Sequence, residues 1–342
     1  MNNNKGTEIA SLGEFGLVER LTKRLAQRNA TTLRAAGDDA AVIDLGDEVL
    51  LLTTDMLTEG IDFDLSYFPL KHLGYKAVVR GANDILAMNG RPEQIVVALG
   101  VSAKITVEAL DALYEGMETA CKELGVDLVG GDTTASMNGL IITISAVGRA
   151  AKDAVVYRSG AKEHDLICIT SNLGAAYMGL HLLEREKRVL KDIANPEPQF
   201  AGFEYLLERY LKPRARVNVL RALADEGIRP TSMIDLSDGL ASDLRQICLA
   251  SQCGARIYLE RIPIARQTSE LAEQMHIDPV VAALNGGEDH ELMFTVPLAM
   301  QEKIMALGLV DIIGHITREE AGVVLVTPDG EGIALKAQAF DR

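Results

Sequence analysis

Apolar residues fall along the chain in two rhythms, short unbroken runs and longer stripes at helical spacing, and their alternation predicts an α/β fold. Val49, Leu50, Leu51 and Leu52 form one such run, which passes straight into Thr53, Thr54 and Asp55. It predicts a strand buried on both faces, with hydroxyls and a carboxylate at its tip. Either that tip is a polar strand exit facing water or it offers hard oxygen ligands of the kind Mg²⁺ prefers. Before it, Phe15, Leu17, Val18, Leu21 and Leu25 predict an entry helix over 14–27. Gly37-Asp38-Asp39 turns into a strand over 40–43, and Leu45-Gly46-Asp47 reverses the chain. After it, Leu70, Leu73, Ala77, Val78, Ala82 and Ile85 space a helix over 69–88 that opens on Pro69. Strands follow over 94–101, 126–129 and 140–147, with an amphipathic helix over 107–124 between the first two.

Polar residues gather over 149–153, which predicts a boundary between two domains, 9–150 and 151–342. The second half opens on Arg158-Ser159-Gly160-Ala161-Lys162, a phosphate contact or a solvated basic turn. Its later strands are short and separated by glycine turns, as in an α+β domain.

Acidic residues recur where apolar segments stop: Asp38 and Asp39, Asp84, Asp132 after Gly130-Gly131, and Asp235 and Asp238 in Asp-Leu-Ser-Asp-Gly. Carboxylates brought together repel unless cations sit among them. Asp84 sits in the last turn of its helix, where the dipole disfavours negative charge; a cation or Arg80, four residues earlier, could answer it. Ser237 or Asp238 could cap the helix that follows, but Asp235 could not. Gly286-Gly287-Glu288-Asp289-His290-Glu291 precedes another strand, with His290 read as a surface residue.

Composition narrows the chemistry. With 342 residues, 48% hydrophobic and 24% charged, the chain is long enough for two cores. A net charge of −15 argues against a nucleic-acid surface. Cys121, Cys168, Cys248 and Cys253 lack CxxC pairing, which points to reduced thiols in a cytoplasm. Neither an export signal nor a membrane span is expected. P-loop, Rossmann, GxSxG and HExxH patterns are all missing, so any nucleotide site is built another way.

The ordered set Gly37-Asp38-Asp39-Ala40-Ala41, Thr53-Thr54-Asp55, Asn83 to Gly90, Gly130-Gly131-Asp132-Thr133-Thr134, Arg158 to Lys162, Asp235 to Leu240 and Gly286 to Asp289 resembles the thiamine-monophosphate kinases. Their superfamily also holds aminoimidazole ribonucleotide synthetase, selenophosphate synthetase and a hydrogenase-maturation protein. The resemblance runs from Gly13 to Phe340. It implies two α/β domains and a homodimer whose N-terminal sheets join in a barrel-like core, with ATP in a metal-lined cleft. By position it implies Mg²⁺ ligands at Asp39, Thr53, Thr54, Asp55, Asp84, Asp132, Asp235 and Asp238, with Asp55, Asp84, Asp132 and Asp235 as the catalytic set. ATP contacts fall on Tyr114, Gly131, Asp132, Arg158 and Ser237, and thiamine monophosphate contacts on Asp62, Glu288 and Phe340. The alternative is an ATP-dependent synthetase of the same superfamily. Two departures stand out: Asn89 follows Met88 where the family has a small residue, and Asp62 stands where other members often have His. No Cys stands in the first 120 residues or at the C-terminus, as the selenophosphate and hydrogenase branches would have.

Overall fold

The structure, a computed structural model, describes residues 12–191 and 198–336. Six strands form its first sheet: β1 (Thr32–Arg34), β2 (Ala41–Asp44), β3 (Glu48–Thr58), β4 (Arg91–Val101), β5 (Asp127–Ala135) and β6 (Ile141–Ala151). They run in the order β1-β2-β3-β6-β4-β5, antiparallel except for β4 with β5. Helices α1 (Gly13–Thr22), α2 (Leu70–Ala87) and α3 (Val107–Leu124) belong to the same stretch of chain.

A second sheet is built from β7 (Leu166–Thr170), β8 (Ser232–Leu236), β9 (Cys253–Tyr258), β10 (Glu291–Val296), β11 (Val310–Arg318), β12 (Val323–Val326) and β13 (Gly332–Ala334). Its order is β13-β12-β9-β11-β7-β10-β8, mixed because β12 runs parallel to β9. Among the described residues seven α-helices accompany it: α4 (Ala175–Leu190), α5 (Glu204–Leu211), α6 (Val217–Asp225), α7 (Leu240–Ser251), α8 (Arg266–Gln274), α9 (Pro279–Asn285) and α10 (Gln301–Leu307). The α/β class expected from the sequence is therefore present, with two mixed sheets and their helices.

Helix α2 positions the site. It lies between the first sheet, α3 and the β8 edge of the second sheet, so residues on nearly every side of it are buried. Two glycines permit the close crossing with α3: a Cβ on Gly74 would sit 1.9 Å from the Leu113 carbonyl oxygen, and one on Gly116 1.8 Å from that of Lys71. Apolar side chains such as Leu73, Ile85, Leu51 and Ile144 fill the space against the sheet, each worth about 1.5–3 kcal/mol when fully buried.

Several strands differ from expectation. β3 does not end at the Thr-Thr-Asp triplet but carries it in mid-strand, and it is covered on one face only. Val49, Leu51 and Leu57 are buried while Leu52 and Met56 are 41% and 59% exposed. The apolar run merged two faces that the pleat separates. Likewise β5 continues through Gly130 to Thr134, where the glycines allow close pairing: a Cβ on Gly131 would lie 1.8 Å from the Val97 carbonyl oxygen. Helix α1 ends at Thr22, short of the expected Gln27.

Candidate active site

Lys76, Arg80, Asn83 and Asp84 occupy positions i, i+4, i+7 and i+8 of α2, a polar stripe on a helix whose other buried residues are nearly all apolar. The stripe meets the covered face of β3, where alternation aims Thr53 and Asp55 at the helix. The Thr53 hydroxyl donates to Asp84 Oδ2 at 2.5 Å, and Arg80 Nε donates to Asp55 Oδ1 at 3.1 Å. From the second sheet, Asp235 near the end of β8 accepts from Asn83 Nδ2 at 3.4 Å, and the same amide reaches the His290 carbonyl at 3.3 Å. Asp39, in the turn before β2, is bound by Arg158 through Nε at 3.1 Å and Nη2 at 2.5 Å. Four separate segments, the turn before β2, β3, α2 and β8, thus deliver side-chain oxygens to one region, and Arg80 answers Asp55 rather than Asp84.

Their electrostatics are those of a site short of positive charge. Burial, then the charges of Asp55, Asp235 and Asp39, pushes the Asp84 carboxyl well above its ordinary range. Burial followed by Asp39 raises Asp235 to about 7, against the pull of Arg158. Burial also takes Asp39 to about 6 although Arg158 grips it. One oxygen each of Asp39 and Asp55, and the Asn83 carbonyl oxygen, are buried without a hydrogen-bond partner.

Among the described residues no three acidic or imidazole side chains stand as a finished ligand set around one point. Two arginines hold Asp39 and Asp55 instead. The donor chemistry nevertheless fits Mg²⁺, which keeps water and substrate phosphate ligands and needs only one or two carboxylates from the protein. An all-oxygen set with unbonded buried oxygens and an excess of negative charge satisfies that requirement.

Beside this cluster, the loop 286–290 is drawn tight. Glu288 and His290 both have positive φ, 62° and 50°. Their N–H groups donate to the carbonyls of Ser237 and Leu236. Gly287 is required by the same approach, since a Cβ there would lie 2.7 Å from the Ser237 carbonyl oxygen. Glu288 Oε2 lies 2.6 Å from Lys76 Nζ, which is buried and stands 4.1 Å from the Tyr210 ring centroid and 5.6 Å from that of Phe68. Burial raises the Glu288 carboxyl, but Lys76, His290 and Arg80 together hold it well below its usual range.

The neighbouring acids face elsewhere. Asp289 accepts from the N–H groups of Gly174 and Ala176 at the start of α4, and Glu291 is bound by Arg209, Arg216 and Thr170. His290 is fully buried, not a surface residue as the flanking acids suggested.

Other expected site residues are placed apart. Thr54 shares a hydrogen bond with Ser145 on the uncovered face of the first sheet. Asp132 is in register with Ala98, Thr143 and Met56, which places it on that same face of edge strand β5. Gly131 lies beside it, and Tyr114 is 39% exposed on α3. None of the four bonds to the buried cluster. Ser237 and Asp238 end the β8 loop without capping α7, whose N-cap is Gly239 with no side-chain bond. Asp243, buried in the first turn of α7, instead accepts from the Asp238 N–H. Phe340 lies outside the described residues. Sequence reasoning gives Lys76 no part and Asn83 only a place in a motif, although their spacing with Arg80 and Asp84 on an apolar helix was available to find them.

The N-terminal domain model of the AIR synthase related proteins matches residues 37–150, and the C-terminal domain model 162–330. Thiamine-monophosphate kinase of Bacillus subtilis is 30% identical over 97% of this chain and 99% of its own length. The enzyme of that name from Escherichia coli K12 is 32% identical, over 96% and 98%. Among solved structures, AaThiL complexed with AMPPCP and TMP superimposes with a TM-score of 0.82 at 29% identity, over 96% of this chain and 97% of that one.

Proposed function

We infer the activity from a chain that belongs to the AIR synthase related family and, within it, to the thiamine-monophosphate kinases: it transfers the γ-phosphoryl group of ATP to thiamine monophosphate, giving thiamine diphosphate and ADP. The observation that carries this is the near full-length likeness to a kinase bound to AMPPCP and TMP, joined to a buried carboxylate cluster at the matching motifs. A synthetase of the same superfamily is not favoured, because the Bacillus subtilis and Escherichia coli relatives, matched over 97% and 96% of this chain, are kinases.

Mg²⁺ bound in the cluster would cancel the charge gathered by the phosphates. Asp39, Thr53, Asp55, Asp84 and Asp235 would hold it, with Asp238 at the rim of the β8 loop. Arg158 lies where a phosphate contact is useful once Asp39 is engaged otherwise, and Ser237, just after β8, would add a nucleotide contact. Glu288, whose carboxylate stays partly exposed beside Lys76, would face the thiazolium cation. A phosphate oxygen of thiamine monophosphate attacks Pγ as the bond from Pγ to the ADP oxygen breaks. That nucleophile is already anionic, so no side chain has to remove a proton. Positioning and charge cancellation are what the reaction asks of the protein.

The uncovered face of the first sheet, with Leu52, Met56, Val96 and Val129 exposed, supports a homodimer through the N-terminal half. In that assembly the sheets would join as a barrel-like core, and Thr54, Tyr114, Gly131 and Asp132 would reach nucleotide or metal at the joint. Domains of 9–150 and 151–342 and a cytoplasmic setting complete the proposal. No described helix is long and apolar enough to cross a membrane. Incubation with ATP, Mg²⁺ and thiamine monophosphate, with products identified by mass, tests the activity: thiamine diphosphate with one ADP is expected, and ATP consumption without it would refute the assignment.

A further inference from the structure

Arg80 stands between the two halves of the proposed reaction. Its Nε binds Asp55 Oδ1 at 3.1 Å, on the metal side. Its Nη1 binds Asp62 Oδ1 at 3.1 Å and lies 3.7 Å from Glu288 Oε1, on the acceptor side. The other terminal nitrogen carries no bond to the described residues, and the side chain remains 21% exposed. One guanidinium is thus shared among three carboxylates. Glu288 is also paired with Lys76 and Asp62 also accepts from the Thr58 N–H, whereas the second oxygen of Asp55 has no hydrogen-bond partner.

Asp62 is held differently. Its Oδ2 accepts from the Thr58 N–H at 2.8 Å and its Oδ1 from Arg80, so both oxygens are occupied within the chain. It has little left to offer a substrate ring. Its geometry is that of a bracket that fixes the guanidinium through Nη1 while the backbone turn 58–62 fixes Asp62.

Resting on the kinase reading above, we propose that Arg80 binds the phosphate of the acceptor and that Asp62 is the residue that positions it. When a cation engages Asp55, the Nε and free Nη2 edge of Arg80 becomes a two-pronged donor, the geometry a phosphate accepts best. That edge lies between Asp55 and Glu288, where the phosphate of a molecule with its cationic ring at Glu288 must pass to meet the donor. The pairing also accounts for Asp in place of His at position 62: a carboxylate there holds an arginine that an imidazole would not.

The test compares two ligands that differ only in the phosphate. Calorimetric affinities for thiamine monophosphate and thiamine are measured in excess Mg²⁺ for wild type, Arg80→Gln and Arg80→Lys, with ATP affinity as control. Wild type should prefer the phosphorylated ligand. Arg80→Gln should lose about 10- to 100-fold of that preference, the worth of one or two charge-assisted hydrogen bonds, with thiamine and ATP affinities nearly unchanged. Arg80→Lys, which keeps charge but not the fork, should lose about tenfold and decides the matter alone if the Gln variant does not fold. Equal weakening of both ligands, or an unchanged preference in the Lys variant, overturns the proposal. Failure of wild type to make thiamine diphosphate is a separate outcome that overturns the kinase reading instead.

Discussion

Lys76 Nζ lies 2.6 Å from Glu288 Oε2, a contact that ties α2 to the loop before β10. Lys76 is 1% exposed, and its remaining surroundings are the rings of Phe68 and Tyr210. Removing Glu288 would strand a buried ammonium. Glu288→Gln is therefore expected to cost about 2 kcal/mol, less than the full loss for an enclosed pair because Glu288 is partly exposed. It should also raise KM for thiamine monophosphate more than that for ATP. Adding Lys76→Met should recover most of the lost stability without restoring acceptor affinity, which thermal unfolding and steady-state kinetics can separate.

Asp84 and Asp55 should part company when chelator is present. Asp84→Asn removes a carboxyl that burial and three acidic neighbours disfavour, so the unfolding midpoint without Mg²⁺ should hold or rise. Asp55→Asn takes away the partner of Arg80 Nε, and its midpoint should fall. Both variants should lose at least about 100-fold in turnover if they help hold the cation. Near wild-type rates at saturating Mg²⁺ would remove them from the ligand set.

Asp39 and Asp235 retain protons to about pH 6 and 7 in the folded chain, against 3.8 for a free carboxyl. Between those values the folded state binds more protons than the unfolded one, so stability without metal falls as pH rises from about 4 to 7. Asp235→Asn should flatten that fall. Mg²⁺ needs ionised ligands and should stabilise more at pH 8 than at pH 5, as unfolding scans across pH would show.

The uncovered sheet face gives a prediction about mass. Light scattering should give the mass of a dimer, and Met56→Lys, which places a charge at a 59% exposed position on that face, should shift it toward monomer. A monomer mass for wild type would contradict the shared-sheet arrangement.

Much of this was legible in the sequence, and the lapses have physical causes. Helix α2 declared itself through its apolar spacing and Pro69, and the acids at segment ends marked the region where Asp39, Asp55, Asp84 and Asp235 meet. The face each side chain takes was hidden. Val49 to Leu52 are apolar at every position, so their pattern could not show that Leu52, Thr54 and Met56 turn away from Thr53 and Asp55. Gly130 and Gly131 end the apolar run over 126–129, but the strand continues, and Gly131 lets β5 lie against β4. The charged neighbours of His290 point to the surface, yet those acids are paired inside the protein, Glu288 with Lys76 and both Asp289 and Glu291 with Arg209. For Arg80 the sequence shows only the neighbour four residues on, Asp84, since long-range partners on β3 and in the loop 286–290 leave no local trace.

The central claim is that the carboxylate cluster positions a direct transfer to the acceptor, with no phosphorylated side chain on the way. ATP made chiral at its γ-phosphoryl group by oxygen isotopes, reacted with thiamine monophosphate, reports this in one measurement. A single in-line displacement predicts inverted configuration at the transferred phosphorus; retention would reveal two successive displacements through the enzyme and contradict the account.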